Sequence, residues 1–475
     1  MFRPDIFEAV KAAVSDALAI LRSIIDQNRR IPTVDDFPAL SYIAPSGFPR
    51  LTVASVLDNI QNISGMFWNK GNESYYAWHD PETIESWMRF YNLASKDDRL
   101  CHYWAINPED KKGSDAGFED YRKWKIFRPL KDLLDRYYHI YKTFELDVET
   151  FRKLYEEWEN SVFQETLAID VLVPLICQHF SFEHLQIAEN TYIEKMPEAF
   201  QLARCPTGGA GHSPQELVIG AATHALVLEG WTISNDTQER RDLALGEMTA
   251  YSPVIEKVDA FFAAFRVLRE TDIGYGQIIA RPKGWANYWR VWIPNVYFVS
   301  TRAYPDTLED GGWFWKREAL DESAFQGLSM IYENILHQPK LRVPSRRLNA
   351  ALLRRDEEDS ILDLTIGLEA LLIGDGKGEI NFKLAMRAAA LCKVEPFEDY
   401  TAMKVAWLCK RIYDFRSAVV HGGSKVDKSC VIKVGEEKTI RAVALGTRLL
   451  RHVILALCRR PEFLDSSKLD DSLLS

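Results

Sequence analysis

The stretch Tyr413-Asp-Phe-Arg-Ser-Ala-Val-Val-His-Gly-Gly423 decides the reading of the C-terminal third of the chain. It ends a segment in which Trp407, Leu408, Ile412 and Phe415 fall on one side of a helix, and the Gly-Gly pair stops that helix. Residues 397–421 therefore read as a helix carrying Arg416 and His421 at its C-terminal end. Working outward, Ile380–Lys393 reads as another helix, stopped by Pro396, with a sharp loop at Gly374, Gly376 and Gly378 before it. Val343–Ile373 reads as one long helix bent near the charged run Arg354–Asp359. Asp321 suits the N-cap of a helix to Leu336. Glu436–Arg460 has acids at its start, bases at its end and Pro461 just beyond, as the helix dipole favours. Four to five helices with short links predict an all-α antiparallel bundle over residues 320–462, followed by a tail over 463–475.

Upstream the pattern changes twice. Residues 165–315 contain β-like runs at Leu185–Glu194, Leu226–Ile233, Gln277–Arg281 and Tyr288–Ser300, with one clear helix, Pro253–Arg269, capped by Ser252. This segment reads as a mixed α+β domain with a boundary loop at Pro305–Gly312. Residues 1–160 read as α-rich. Ile6, Val10, Val14, Leu18, Leu21 and Ile25 keep helical spacing over six turns, and a Pro-rich loop, Ile31–Pro49, follows. The expected fold is thus multidomain and mainly α: an α-rich N-terminal region, a mixed α+β middle domain and a C-terminal helical bundle. The length of 475 residues agrees with about three domains.

Composition sets the class. Hydrophobic residues make up 47% and charged residues 27%, which excludes wholesale disorder and low-complexity architecture. The first residues carry acids within their apolar stretch and do not read as a signal peptide, and apolar runs such as Val171–Cys177 are too short to span a bilayer. Seven scattered cysteines, with no Cys-x-x-Cys and no Cys/His cluster at zinc spacing, point to free thiols in a reduced, cytoplasmic protein with neither metal nor cofactor. The net charge of −10 argues against a general polyanion binder. The charge is uneven, however. Residues 340–475 carry 24 Lys and Arg against 19 Asp and Glu, a net of +5, which leaves 34 against 49, a net of −15, for residues 1–339. The C-terminal part is the one suited to a phosphate backbone.

Arg416 and His421 are the candidate chemical groups. Arginine presents a planar fork of donors to phosphate oxygens, and histidine titrates near neutrality. Five residues apart on a helix, they point about 140° away from each other. They converge only if the helix end frays or a second copy of the helix supplies the missing partner. On spacing alone, an Arg and a His near a helix end are more often capping and surface groups.

Three segments together carry more weight than the last one alone. Asp359-Ser-Ile-Leu-Asp-Leu-Thr-Ile-Gly-Leu-Glu-Ala-Leu-Leu372, Glu379-Ile-Asn-Phe-Lys-Leu-Ala-Met-Arg-Ala-Ala-Ala390 and Ile412–Gly422 occur in an order and spacing that closely resemble the Apea-like branch of the HEPN superfamily (higher eukaryotes and prokaryotes nucleotide-binding domain). The resemblance covers the C-terminal quarter to third of the chain. It implies a helical bundle that forms a homodimer and an Arg-x4-6-His ribonuclease motif whose two copies build one metal-independent site. Carried over by position, Arg416 and His421 are the catalytic pair, with Ser417 and Glu369 as supporting groups. Ser417 stands where active members of the family usually have Asn, Asp or His. The implied function is an RNA-cleaving effector in bacterial, anti-phage defence. A phage-derived or cellular trigger would then act on residues 1–315. Two alternatives stay open: a catalytically inactive dimerisation or RNA-binding module, and a structural protein that binds a ligand or another protein.

Other features read as structural. The aromatic segment Trp285–Trp292, with Trp313 and Trp315, suits a sheet core more than a base-stacking surface. Gly208-Gly-Ala-Gly-His212 lacks the Lys-Ser/Thr of a P-loop. His179 and His184 lack a third ligand. Cys392, Cys409 and Cys458 read as small core residues.

Overall fold

The structure is a computed structural model, and it describes residues 2–29, 37–43, 47–54, 63–67, 78–111, 114–204, 218–250, 253–286, 298–305, 318–373, 379–422, 426–436 and 438–474. The Gly208–His212 segment, the aromatic residues Trp292, Trp313 and Trp315, Ser252 and the glycines of the 374–378 loop lie outside the described residues. So does most of the Tyr288–Ser300 run.

Five helices build the N-terminal unit: α1 (Pro4–Asp26), α2 (Glu85–Ala94), α3 (Asp98–Trp104), α4 (Asp115–Tyr141) and α5 (Val148–Phe163). The periodicity of α1 is used as expected. Ile6, Val10, Val14, Leu18 and Leu21 are buried, and they pack with Trp87, Phe90, Phe127, Phe151 and Tyr155 in a core of their own. The expected Pro-rich loop is partly a hairpin. Strands β1 (Phe37–Ile43) and β2 (Phe48–Ala54) pair antiparallel, with Tyr42 opposite Pro49. A two-stranded ribbon leaves outward-facing positions where proline has no ladder bond to lose.

Asp135 on α4 sits inside this unit. The Ser64 amide and hydroxyl donate to its carboxylate at 2.9 and 2.5 Å, yet burial outweighs them and pushes the Asp135 carboxyl up to about 7. Between an unfolded value of 3.8 and that folded value, the native chain holds a proton that the unfolded chain has released. The stability this group contributes is therefore complete below pH 3.8 and lost as pH rises through about 7. Neighbouring Lys131, pushed down to about 7 by burial, acts in the opposite sense above that pH. We expect the melting temperature of wild type, measured relative to Asp135→Asn, to fall between about pH 4.5 and 7. A constant difference across that window would show that Asp135 is ionised in the folded protein.

The middle of the chain forms a six-stranded antiparallel sheet in the order β4-β5-β6-β3-β7-β8. Its strands are β3 (Thr166–Leu175), β4 (His184–Ala188), β5 (Thr191–Lys195), β6 (His224–Ser234), β7 (Tyr275–Pro282) and β8 (Phe298–Ala303), and among the helices that intervene are α6 (Glu198–Ala203), α7 (Gln238–Ala250) and α8 (Pro253–Leu268). The single expected run Leu185–Glu194 is the hairpin β4–β5. Helix α8 is buried all round from Ala260 to Val267, because it lies between the sheet and the C-terminal helices. Phe262 meets Tyr275 of β7 at 4.8 Å, while Arg266 donates to Asn349 Oδ1 at 2.7 Å and to the Ile273 carbonyl at 2.8 Å.

The C-terminal helices are α9 (Leu328–His337), α10 (Pro339–Leu353), α11 (Glu357–Leu372), α12 (Ile380–Val394), α13 (Ala402–His421), α14 (Val426–Ser429), α15 (Ala442–Arg459) and α16 (Ser467–Leu474). Four expectations need correction here. Asp321 caps only a short 3-10 turn, Glu322–Phe325, and Gly327 at φ +88° precedes α9. The long helix expected over 343–373 is two helices, α10 and α11. Asp356 caps α11 and Arg347 and Arg354 both pair with Asp363, so the chain reverses at the charged run instead of bending. The bundle is not all-α: the segment expected to open its last helix at Glu436 forms a small hairpin, β9 (Val431–Lys433) with β10 (Thr439–Arg441), and α15 begins only at Ala442. The tail is not loose either, since α16 packs on α12 and Asp470 pairs with Arg387 at 2.6 Å.

One apolar core runs without a break from the sheet through α8 into the bundle, from Val171 to Leu469. Within the bundle, Gly367 on α11 lets α15 approach: a Cβ there would stand 2.8 Å from Leu450 Cδ2. Gly367→Val is expected to cost about 1–3 kcal/mol by overpacking, read as a lower midpoint in urea. An unchanged midpoint would mean that Leu450 moves aside freely. Among the described residues, no helix is long and apolar enough to cross a membrane.

Candidate functional site

The site is built on α13. The Thr401 hydroxyl accepts from the Lys404 amide at 3.3 Å and starts the helix, and Val405, Leu408, Cys409, Ile412 and Phe415 form its buried face. Phe397, expected inside this helix, instead packs against the His452 ring at 5.0 Å before the helix begins. At the other end, Gly422 adopts φ +61°, and its amide donates to the Ala418 and Val419 carbonyls. The helix is therefore regular through His421. The end does not fray, and Arg416 and His421 stay about 140° and roughly 7.5 Å apart along the axis.

The two side chains differ in setting. Arg416 borders the buried face. Its guanidinium lies over the Tyr413 ring, 5.3 Å from the centroid, and makes no salt bridge among the described residues. Tyr413 is thus the support beneath the arginine. His421 is exposed. At 100° per residue it shares the solvent side of α13 with Met403, Lys410, Asp414 and Ser417. Ser417 is half-buried and lies between the two.

Glu369, on α11, faces Arg416. Its Oε1 is buried without a hydrogen-bond partner. Burial pushes the Glu369 carboxyl above its ordinary value, and the Arg416 guanidinium pulls it part of the way back. The structure thus brings Glu369 and Arg416 into each other's field, and leaves His421 apart from both. Asn381, in the second motif segment, also has a buried oxygen, Oδ1, with no partner. Nothing in the spacing distinguishes it from an ordinary first-turn residue.

No family model, curated protein or solved structure matches this chain. The resemblance to the HEPN superfamily rests on the three motif segments alone.

Exposed apolar side chains are spread along the two motif helices. Met403 is 86% exposed and Val420 50% on α13, and Phe382 is 53% exposed on the adjoining first turn of α12. Trp407 is held between Lys404, at 4.0 Å, and Arg411, at 5.7 Å. The remaining candidates fall into the core or stand apart. Trp285 is buried, and its Nε1 donates to the Ala168 carbonyl at 2.7 Å. His179 packs on Phe48 and His184 on Tyr192. Cys392, Cys409 and Cys458 are buried free thiols, and burial pushes the last two up to about 12. Among the described residues, no group of three or more His, Cys, Asp or Glu side chains is placed to hold a metal ion.

Proposed function

We propose that the C-terminal bundle is a HEPN-type endoribonuclease that works as a homodimer, with Arg416 and His421 of two copies meeting in one groove. The observation that carries this reading is the pairing of an intact helix end with an uncommitted arginine. A guanidinium at the edge of a bundle, without a salt bridge among the described residues, is available to phosphate. The exposed Val420, one turn from Arg416, and Phe382, near Lys410 of the same helix, supply apolar area for a second copy.

The chemistry follows from the two groups. His421 takes the proton of a ribose 2′-hydroxyl. The 2′-oxygen bonds to the adjacent phosphorus, and the bond from phosphorus to the 5′-oxygen breaks. The leaving oxygen takes a proton from an imidazolium or from water, and Arg416 holds the non-bridging oxygens as charge builds. Glu369 orients the arginine across the groove. Ser417 supplies a hydroxyl where the family usually places a stronger hydrogen-bonding group. The acidic N-terminal part, net −15 against +5 for residues 340–475, is suited to shield the basic groove until a trigger arrives. A cytoplasmic defence role belongs to the same proposal.

The second reading, an inactive dimerisation or RNA-binding module, is favoured by Ser417 alone. Incubating the purified full-length protein with total RNA, against His421→Ala, separates the two. Cleavage by wild type only supports the nuclease. Equal RNA binding without cleavage by either protein supports the module.

A further inference from the structure

The N-terminal helices and the sheet meet over a second site, far from the bundle motif in sequence. Arg99 on α3 fastens the two parts, donating to the Val162, Asn235 and Asp236 carbonyls at 2.6–3.1 Å. Beside this seam lies a cavity of about 170 Å³, walled by Tyr103, Trp104, Trp158 and Trp285. Four cations, Lys125, Arg128, Arg136 and Arg241, line it against one carboxylate, Asp132.

That concentration of buried positive charge is costly unless each group is satisfied. The arginines each have an acid, Arg128 with Asp132 at 3.8 Å, Arg136 with Glu157 at 2.5 Å and Arg241 with Asp242 at 3.3 Å, and two valences stay open. The Arg136 side chain is 4% exposed. One terminal nitrogen pairs with Glu157, but its Nε is buried with no hydrogen-bond partner. Lys125 Nζ reaches only the neutral Gln238 Oε1, at 3.0 Å, and makes no salt bridge among the described residues. Burial, followed by nearby Arg128, pushes the Lys125 amine below its ordinary value. Lys125 is thus the cation at the cavity left without an acid in salt-bridge reach among the described residues, and an incoming anion supplies one.

Size and depth narrow the ligand. An apolar cavity of about 150 Å³ takes a benzene-sized ring. The present cavity, of similar volume, has room for one planar ring. Arg136 and Arg241 lie deep, both with side chains 4% exposed, whereas Arg128 is 45% exposed at the mouth. A flat ring between aromatic walls, with a charged group trailing outward to Arg128 and Lys125, is the outline of a nucleotide. The free Arg136 Nε–H donates to the base edge, and Asp132 accepts from it. We infer that the seam between the N-terminal helices and the sheet is a nucleotide-binding site, with the base in the aromatic cavity and the phosphate on Lys125 and Arg128.

The test uses the full-length protein, its tryptophan fluorescence and its melting temperature, with no reference to RNA cleavage. The probes are the four ribonucleoside 5′-monophosphates and 5′-triphosphates, with adenosine and inorganic triphosphate as controls. At least one nucleotide should quench fluorescence saturably below about 1 mM and raise the melting temperature. Adenosine and inorganic triphosphate should each bind about tenfold more weakly or worse. Lys125→Ala/Arg128→Ala, at the mouth, should keep the ligand-free melting temperature and weaken binding by about tenfold or more. Arg136→Gln, which also lowers the ligand-free melting temperature by breaking the pair with Glu157, should weaken binding independently. The inference is overturned if no nucleotide saturates below about 1 mM. It is equally overturned if inorganic triphosphate binds as well as the best nucleotide, or if the mouth variant that melts normally keeps full affinity.

Discussion

A mixture of the Arg416→Ala and His421→Ala proteins will cleave RNA that neither protein cleaves alone. Gly422 ends α13 cleanly, so the helix holds its geometry through His421, and one chain keeps the two side chains on different sides. A groove shared by two copies removes that conflict. A dimer of either variant lacks every arginine or every histidine of the pair, whereas a mixed dimer retains one of each. With random exchange, half the dimers are mixed and each keeps one complete pair. The recovered rate should approach roughly a quarter of wild type. Exchange is to be confirmed by tagged pull-down of one variant with the other. A mixture that exchanges fully and still fails to cut would place the complete site within a single chain.

Each single substitution, Arg416→Ala or His421→Ala, should lower cleavage at least about a hundredfold and leave the circular dichroism unchanged. Both residues lie off the buried row of α13, so little packing is lost. The ends of the products report the nucleophile. Attack by the 2′-oxygen leaves a 2′,3′-cyclic phosphate, or its hydrolysed form, and a 5′-hydroxyl. DNA, lacking that oxygen, should be spared, and activity should persist in EDTA. Fragments with 5′-phosphates, or activity that disappears on chelation and returns with Mg²⁺, would show that water attacks instead and that the proposed roles of His421 and Arg416 are wrong.

Elements with a single strong period were readable from sequence, and elements with conflicting signals were not. Helices α1 and α8 follow directly from apolar spacing and, for α8, from Pro253 at its first position. Strand β3 escaped because it is central in the sheet and buried on both faces from Ile169 to Leu175. Such a strand shows no alternation and resembles a short helical core segment. The β1–β2 hairpin was hidden by Pro38 and Pro49. The pair α10–α11 looked continuous because its charged link resembles a solvated helix face, although Asp356 is a capping residue in the right place. At the candidate site, the angular gap between Arg416 and His421 follows from helix geometry alone. The approach of Glu369 to Arg416 depends on how α11 packs against α13, which no local pattern encodes. The ring of Tyr413 beneath Arg416 is the reverse case: a spacing of three residues was visible, but any helix offers many such pairs.

Helix α8 has a consequence for how the molecule comes apart. It contributes apolar side chains to the sheet on one side and to α9, α10 and α15 on the other, and its Arg266 is tied to both. Neither neighbour can lose it and keep a closed interior. Calorimetry should therefore record one cooperative transition for residues 165–474, with a second for the N-terminal helices and their separate core, instead of three. Inheritance is constrained in the same way. A bundle that exchanged between genes at residue 320 would arrive without its inner wall, and a cut at Pro253 would part β7 from β3, so the sheet and the bundle move intact only together.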